Sequence, residues 1–176
     1  VSGRTALYAI IEEVVRETNG RTAYLPSYCC HTMIEPFLRH GMKVTFYEVS
    51  VSHGKLVQKT DPNMQCDVIL IMDYFGFASD ISMPPKAIVI RDMTHSLFRR
   101  NPTIDDADYL FASFRKWGAV TGAAIACKRT GRWSTTPEIP HLEYIRLRSR
   151  GYQLKANYMS GLPVQKEEFL EKFSAA

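Results

Sequence analysis

Ala87-Ile-Val-Ile-Arg-Asp92-Met-Thr-His95, and after it Tyr109-Leu-Phe-Ala-Ser113-Phe-Arg-Lys116, decide how this 176-residue chain folds. Each stretch begins as an apolar, β-branched or aromatic run and closes on charged and hydroxyl groups. Asp67-Val-Ile-Leu-Ile-Met72 repeats the pattern upstream. Short apolar runs without alternation are what a strand buried on both faces looks like, and such strands belong to parallel sheets covered by helices.

Working outward, Ser2-Gly3-Arg4 leads into Ala6, Leu7, Ile10, Ile11, Val14 and Val15, a helical apolar stripe that stops near Asn19-Gly20. Ala23 to Leu25 reads as a strand closed by Pro26, and Thr32 to His40 as a helix capped by Gly41. Val44 to Tyr47 is a further strand, and Gly122 to Ala126 a last one, ended by the basic turn Lys128-Arg129-Thr130-Gly131. Strands and helices alternate in the first half. The fold class is therefore α/β, a three-layer domain with a mostly parallel mixed central sheet.

From about Pro137 the pattern changes, with helices expected over His141 to Tyr152 and Gln165 to Phe173 around Gly161-Leu-Pro163. Residues 1–135 read as the sheet domain. Residues 136–176 read as a helical segment leading toward a small C-terminal domain that this stretch does not contain, since Phe173-Ser-Ala-Ala breaks off partway through a helical pattern.

Composition narrows the function. The chain is 45% hydrophobic, enough for a sizeable core, and its net charge of +4 is too mild and dispersed to imply nucleic acid. The basic run Arg146-Leu-Arg148-Ser-Arg150 reads as a solvated helix face rather than a phosphate-binding patch. Cys29, Cys30, Cys66 and Cys127 lack metal-ligand spacing, so no metal site is expected, and a disulfide framework does not suit a chain of this size. A reducing cytoplasm is the expected setting, and no apolar run reaches membrane-spanning length.

The ends of the strands carry the chemistry, because ligands of open α/β sheets sit beyond the carboxyl ends of the strands. Lys116 follows a strand rich in Phe and Ala and precedes Trp117. An apolar surrounding favours the neutral amine that attacks an aldehyde. The alternative is an exposed surface lysine. Asp92 is placed to keep a pyridine nitrogen protonated; its rival reading is a surface pair with Arg91, Arg99 or Arg100. His95, three residues on, can face the same ligand near a ring hydroxyl or a ring face. Ser113 can hold phosphate or cap a turn. Gly3, Arg4 and Thr5 open the first helix, where exposed amides and the helix dipole receive phosphate, or where Ser2 and Thr5 merely cap the backbone. Tyr28 and Cys30, at another strand-to-helix turn, are candidates to lie on a ring, and Tyr74 to Phe77 to line the same cleft. An acid, a serine and a lysine in this order are what pyridoxal 5'-phosphate requires, with Lys116 as its Schiff-base partner.

The order of these motifs resembles the large domain of fold-type-I pyridoxal phosphate enzymes, most closely the DegT/DnrJ/StrS aminotransferases. The matching pieces are Ser2 to Leu7, Leu25-Pro-Ser-Tyr28, Pro36-Phe37 to Gly41, Asp92-x-x-His95, Ser113-x-x-Lys116 and Thr121-Gly-Ala123. The resemblance implies a seven-stranded sheet, Lys116 joined to the cofactor, Asp92 on the pyridinium, and Gly3, Arg4 and Ser113 near the phosphate. It also implies His95 near the ring hydroxyl, where many members have glutamine, and a homodimer with sites at the subunit interface. Arg4 stands for the usual threonine of the phosphate loop. Cys30 stands in the place of the stacking aromatic, which leaves Tyr28 or His31 to substitute. The implied activity is amino transfer from an amino acid such as glutamate to a keto substrate, for which the resemblance suggests a nucleotide-linked keto sugar. The alternatives are another reaction of the same cofactor (lyase, dehydratase or decarboxylase) or a fragment of the fold that does not catalyse.

Overall fold

The computed structural model describes residues 2–77, 81–99, 106–118, 120–134 and 142–175. Among them a seven-stranded sheet runs in the order β3-β2-β1-β4-β5-β6-β7. The strands are β1 (Thr22–Pro26), β2 (Lys43–Ser52), β3 (Lys55–Lys59), β4 (Val68–Met72), β5 (Ile88–Asp92), β6 (Tyr109–Ser113) and β7 (Ala124–Lys128). The five central strands are mutually parallel; β3 and β7 run antiparallel at the two edges. The mixed, mainly parallel sheet foreseen from the apolar runs is thus present.

Among the described residues four α-helices accompany the sheet: α1 (Gly3–Thr18), α2 (His31–Arg39), α3 (Leu142–Met159) and α4 (Lys166–Ala175). Ser2 caps α1 by accepting from Thr5 N–H at 3.2 Å, while Ser2 N–H donates to Thr5 Oγ1 at 2.8 Å. Leu7, Ile10, Ile11 and Val14 on its buried face meet Ala23, Leu25, Val68, Leu70 and Ile90 from the sheet. A second cluster, including Tyr24, Tyr47, Ile69, Ile71 and Val89, fills the opposite face. Alternate residues of one strand therefore serve two cores. This is why β4 is apolar throughout.

Several boundaries differ from the sequence reading. Asp92 is the last residue of β5 rather than lying beyond it, because Asp92 still pairs with Met72 and Phe111 in the ladder. The expected last strand begins two residues later, at Ala124. β2 extends to Ser52 and turns back into β3, a strand with no expectation attached to it. The turn is His53-Gly54, both at positive φ (51° and 71°), the geometry that suits a two-residue hairpin. α3 continues to Met159, well past Tyr152. Pro137, His141 and the 135/136 boundary fall outside the described residues. No described helix is long and apolar enough to cross a membrane.

One ion cluster anchors α1 to the edge strand β7. Glu13 sits on the stripe of α1, fully buried, and takes a bond from Lys128 Nζ at 2.9 Å. Ser134 N–H donates to it at 2.8 Å, and Ser134 Oγ at 2.5 Å. Burial pushes the Glu13 carboxyl up, but Lys128 and Ser134 outweigh it and hold the group at about 2, against an ordinary 4.5. Because the folded value lies below the unfolded one, the stabilisation is complete above about pH 4.5 and drains away as pH falls toward 2. Lys128→Met leaves the Glu13 carboxylate with the Ser134 donors alone and should lower stability at neutral pH. In urea titrations that deficit should shrink between pH 4.5 and 2. A deficit equal at both pH values would contradict the assignment.

Candidate active site

β1, β4, β5 and β6 all end at one side of the sheet. The chain leaves β1 toward β2 and returns on its other side as β4, and such a reversal opens a crevice at the carboxyl ends. A cavity of about 780 Å³ lies there. Gly3, Arg4, Tyr28, Cys30, Asp92, His95, Ser113 and Lys116 all line it. Residues up to 113 positions apart in sequence (Lys116 and Gly3) thus meet in one cleft. Thr5 does not line it; its hydroxyl donates to Ser2 O at 2.8 Å, so it belongs to the cap. Cys30 is the N-cap of α2, with its sulfur 3.1 Å from Thr32 Oγ1. Of the two substitutes for a ring-stacking aromatic, Tyr28 lines the cavity and His31 does not.

Asp92 is buried and opens into this cleft. Burial raises its pKa above the ordinary 3.8, partly offset by bonds from Thr94 and by nearby His95. Thr94 N–H donates to its Oδ1 at 2.8 Å. No described lysine or arginine pairs with it. Arg91, once a rival partner, is fully buried and bonds to Asp73 at 2.7 Å and Asp106 at 2.5 Å instead. Successive residues of a strand face opposite ways, so Arg91 and Asp92 cannot share a partner readily. Ser96 Oγ also donates to Asp73, at 2.7 Å. Arg100 lies outside the described residues.

Thr94, which sequence reading passed over, ties the acid to the lysine. Its hydroxyl accepts from Ser113 N–H at 3.1 Å, and its carbonyl accepts from the Trp117 indole. These bonds fix the short 3-10 turn Phe114–Lys116 relative to Asp92. Lys116 itself is exposed at the cleft wall. The apolar enclosure expected of it is not supplied by the described residues, because Trp117 turns its indole toward Thr94 and remains 47% exposed.

On the opposite wall, His95 Nδ1 accepts from Phe75 N–H at 3.3 Å, which leaves the ring proton on Nε2. Phe75 stacks on His95 with centroids 6.0 Å apart and 21° between planes. Tyr74 and Phe75 line the cleft as foreseen, whereas Phe77 does not. At the start of α1, a Cβ placed on Gly3 would lie 3.2 Å from the Ser113 Cβ. The helix amides and Ser113 therefore approach closely enough to share one ligand, and a side chain at residue 3 would crowd that space.

Arg148 and Phe173 also reach the cleft, from α3 and α4. The former was expected on a solvated face. The only sequence signal was Gly151, one turn on, whose missing Cβ admits Phe173 (a Cβ there would lie 2.7 Å from its ring). Arg115 and Arg148 both donate to the Tyr152 hydroxyl, at 2.7 and 3.2 Å. Burial pushes that phenol up, yet the two guanidiniums together bring it below its ordinary value. The described residues hold no group of three or more metal-ligating side chains.

Comparison with solved structures finds the same architecture. A sugar aminotransferase from Micromonospora echinospora superposes with a TM-score of 0.50 at 15% identity, over 70% of this chain and 38% of that one. A sphingosine-1-phosphate lyase from Burkholderia pseudomallei gives 0.51 at 9% identity, over 72% of this chain and 36% of that one. The chain thus spans little more than a third of these relatives' lengths. No protein-family model and no curated protein matches the sequence. The chain has the fold of the large domain of fold-type-I pyridoxal phosphate enzymes.

Proposed function

We propose that residues 1–135 are the cofactor-binding domain of a pyridoxal phosphate-dependent aminotransferase, with residues 136–176 as its helical extension. One observation carries the reading: Asp92, a buried carboxylate that no described lysine or arginine pairs with, opens into the cavity that Lys116 and Ser113 also line. A buried anion without a counterion is costly unless a ligand supplies the positive charge. A protonated pyridine nitrogen fits that need, and the crowded Gly3–Ser113 approach fits a phosphate held by helix amides.

When bound, pyridoxal phosphate supplies an aldehyde and an electron-accepting ring. Asp92 holds the proton at the ring nitrogen. Lys116 is the residue whose Nζ would hold the cofactor's aldehyde carbon, and its free amine would move a proton at the substrate's Cα. His95 offers its Nε2 proton to the ring hydroxyl, while its Phe75 partner fixes the imidazole plane. Ser113 and the amides of Gly3 and Arg4 take the phosphate.

Glutamate is the proposed donor and a nucleotide-linked keto sugar the proposed acceptor, in line with the sugar aminotransferase among the structural relatives. A homodimer in the cytoplasm is part of the same reading; the four cysteines are free thiols, as a reducing compartment keeps them. The lyase relative, which superposes equally well, supports a lyase reaction of the same cofactor as the second reading.

A half-reaction separates them. The protein is loaded with pyridoxal phosphate and given glutamate without an acceptor. Transamination leaves pyridoxamine phosphate on the protein and 2-oxoglutarate in solution, in about one equivalent per site. Recovery of unchanged pyridoxal phosphate together with a cleaved or decarboxylated amino acid contradicts amino transfer.

A further inference from the structure

We infer that Asp73 is a positioning residue that sets the place and tautomer of His95, with Arg91 and Ser96 holding it in that role. Two carboxylates meet at the carboxyl ends of neighbouring strands, Asp73 just beyond β4 and Asp92 at the close of β5. Asp73 N–H donates to Asp92 O at 3.2 Å. Both side chains are buried and both line the cleft. They are not equivalent. Asp73 Oδ1 accepts from Arg91 and Oδ2 from Ser96 Oγ, each at 2.7 Å. Its charge is matched by the arginine, so unlike Asp92 it needs no cation from a ligand.

The role of Asp73 lies in what those bonds join. It precedes the 3-10 turn Tyr74–Gly76 that carries Phe75, and Ser96 directly follows His95. One carboxylate therefore ties the Phe75 turn to the His95 turn. The two turns press together: Phe75 N–H reaches His95 Nδ1 at 3.3 Å, and a Cβ on Gly76 would lie 3.2 Å from His95 O. Phe75 takes a positive φ of 55°, which a bulky residue keeps where its surroundings hold it. Arg91 anchors this assembly in the sheet. Ile71 and Arg91 are register partners, so Arg91 and Asp73, two residues beyond Ile71, fall on one face. The arginine is fully buried, and its Nε has no partner among the described residues. An apolar side chain there would pack at lower cost. What the arginine adds is a fixed direction for the Asp73 carboxylate. With Phe75 N–H on Nδ1, the imidazole proton stays on Nε2. If the turns slip apart, that bond is lost and the proton spreads over both nitrogens. The inference rests on the functional reading for the use of that proton, whereas the tautomer belongs to the chain alone.

Nitrogen NMR of the full chain, isotopically labelled at histidine and without added cofactor, reads the tautomer directly. His95→Gln identifies the His95 resonances among those of the five histidines. Asp73→Asn and Ser96→Ala should each lower the ratio of Nε2-protonated to Nδ1-protonated His95 about fivefold, the factor that one hydrogen bond is worth. Lys128→Met, which loosens the fold at edge strand β7, should leave the ratio as in the parent. Circular dichroism checks each variant's fold. If Asp73→Asn unfolds because Arg91 loses a counterion, Ser96→Ala decides, since it keeps that ion pair. Ratios within about twofold of the parent's in the folded variants, or an equal change in Lys128→Met, would overturn the inference. Pyridoxal phosphate takes no part in the measurement, so a failure here and a failure of the functional reading are separate results.

Discussion

Lys116→Ala should lower turnover by about four orders of magnitude while leaving the fold's stability within about 0.5 kcal/mol of the parent. The two expectations belong together. Lys116 is the only lysine that lines the cleft among the described residues, so no neighbour can replace its amine. Its side chain is exposed and makes no hydrogen bond or ion pair with a described residue, so little packing is lost. A structural lysine would give the opposite pattern, with stability falling and chemistry following only in proportion. Turnover assays beside urea denaturation of the same preparations separate the two. Activity within tenfold of the parent would remove Lys116 from the chemistry.

Asp92→Asn is expected to be the second large effect, a loss of roughly a thousandfold in turnover. Without ligand, the variant should be more stable than the parent by on the order of 1 kcal/mol at neutral pH. The sign follows from the environment. Burial raises the carboxyl's pKa above the ordinary 3.8, so ionising Asp92 opposes folding. That penalty is absent below about pH 3.8 and grows as pH rises through the raised folded value, so the stability gain should vanish in acid. Asparagine keeps an oxygen for the Thr94 N–H, which holds the loop in place. A substitution that stabilises the protein and removes its activity is the mark of strain kept for function. Destabilisation at pH 7 would instead make Asp92 a structural anchor.

Much of this site could be read from the chain because it lies where strand patterns stop. Ile88 to Ile90 and Tyr109 to Ala112 announce buried strands, and the polar residues that close them must emerge at the carboxyl ends. The residues that escaped reading share another trait: their roles depend on which way they face. Arg91 beside Asp92 looked like a partner for it, but the pleat turns the two apart and buries the arginine, which bonds the buried Asp73 and the exposed Asp106. Glu13 falls three residues after Ile10 on the α1 stripe, a signal that was present, yet Lys128 from β7 and Ser134 beyond it, both remote in sequence, are what let a carboxylate survive there. Arg148 looked solvated because nothing in α3 alone shows that Phe173 of α4 packs against its helix. Lys116 failed in the other direction. Local apolar neighbours suggested enclosure, whereas its turn leaves it at an open wall.

The most direct measurement is a borohydride trap. The full chain is mixed with pyridoxal phosphate, scanned for a visible band, reduced, digested and mapped by mass spectrometry. A band, one dominant pyridoxyl label on the peptide containing Lys116, and loss of both in Lys116→Ala are the expected results. No band and no label, or a dominant label on a lysine outside the cleft, would contradict it.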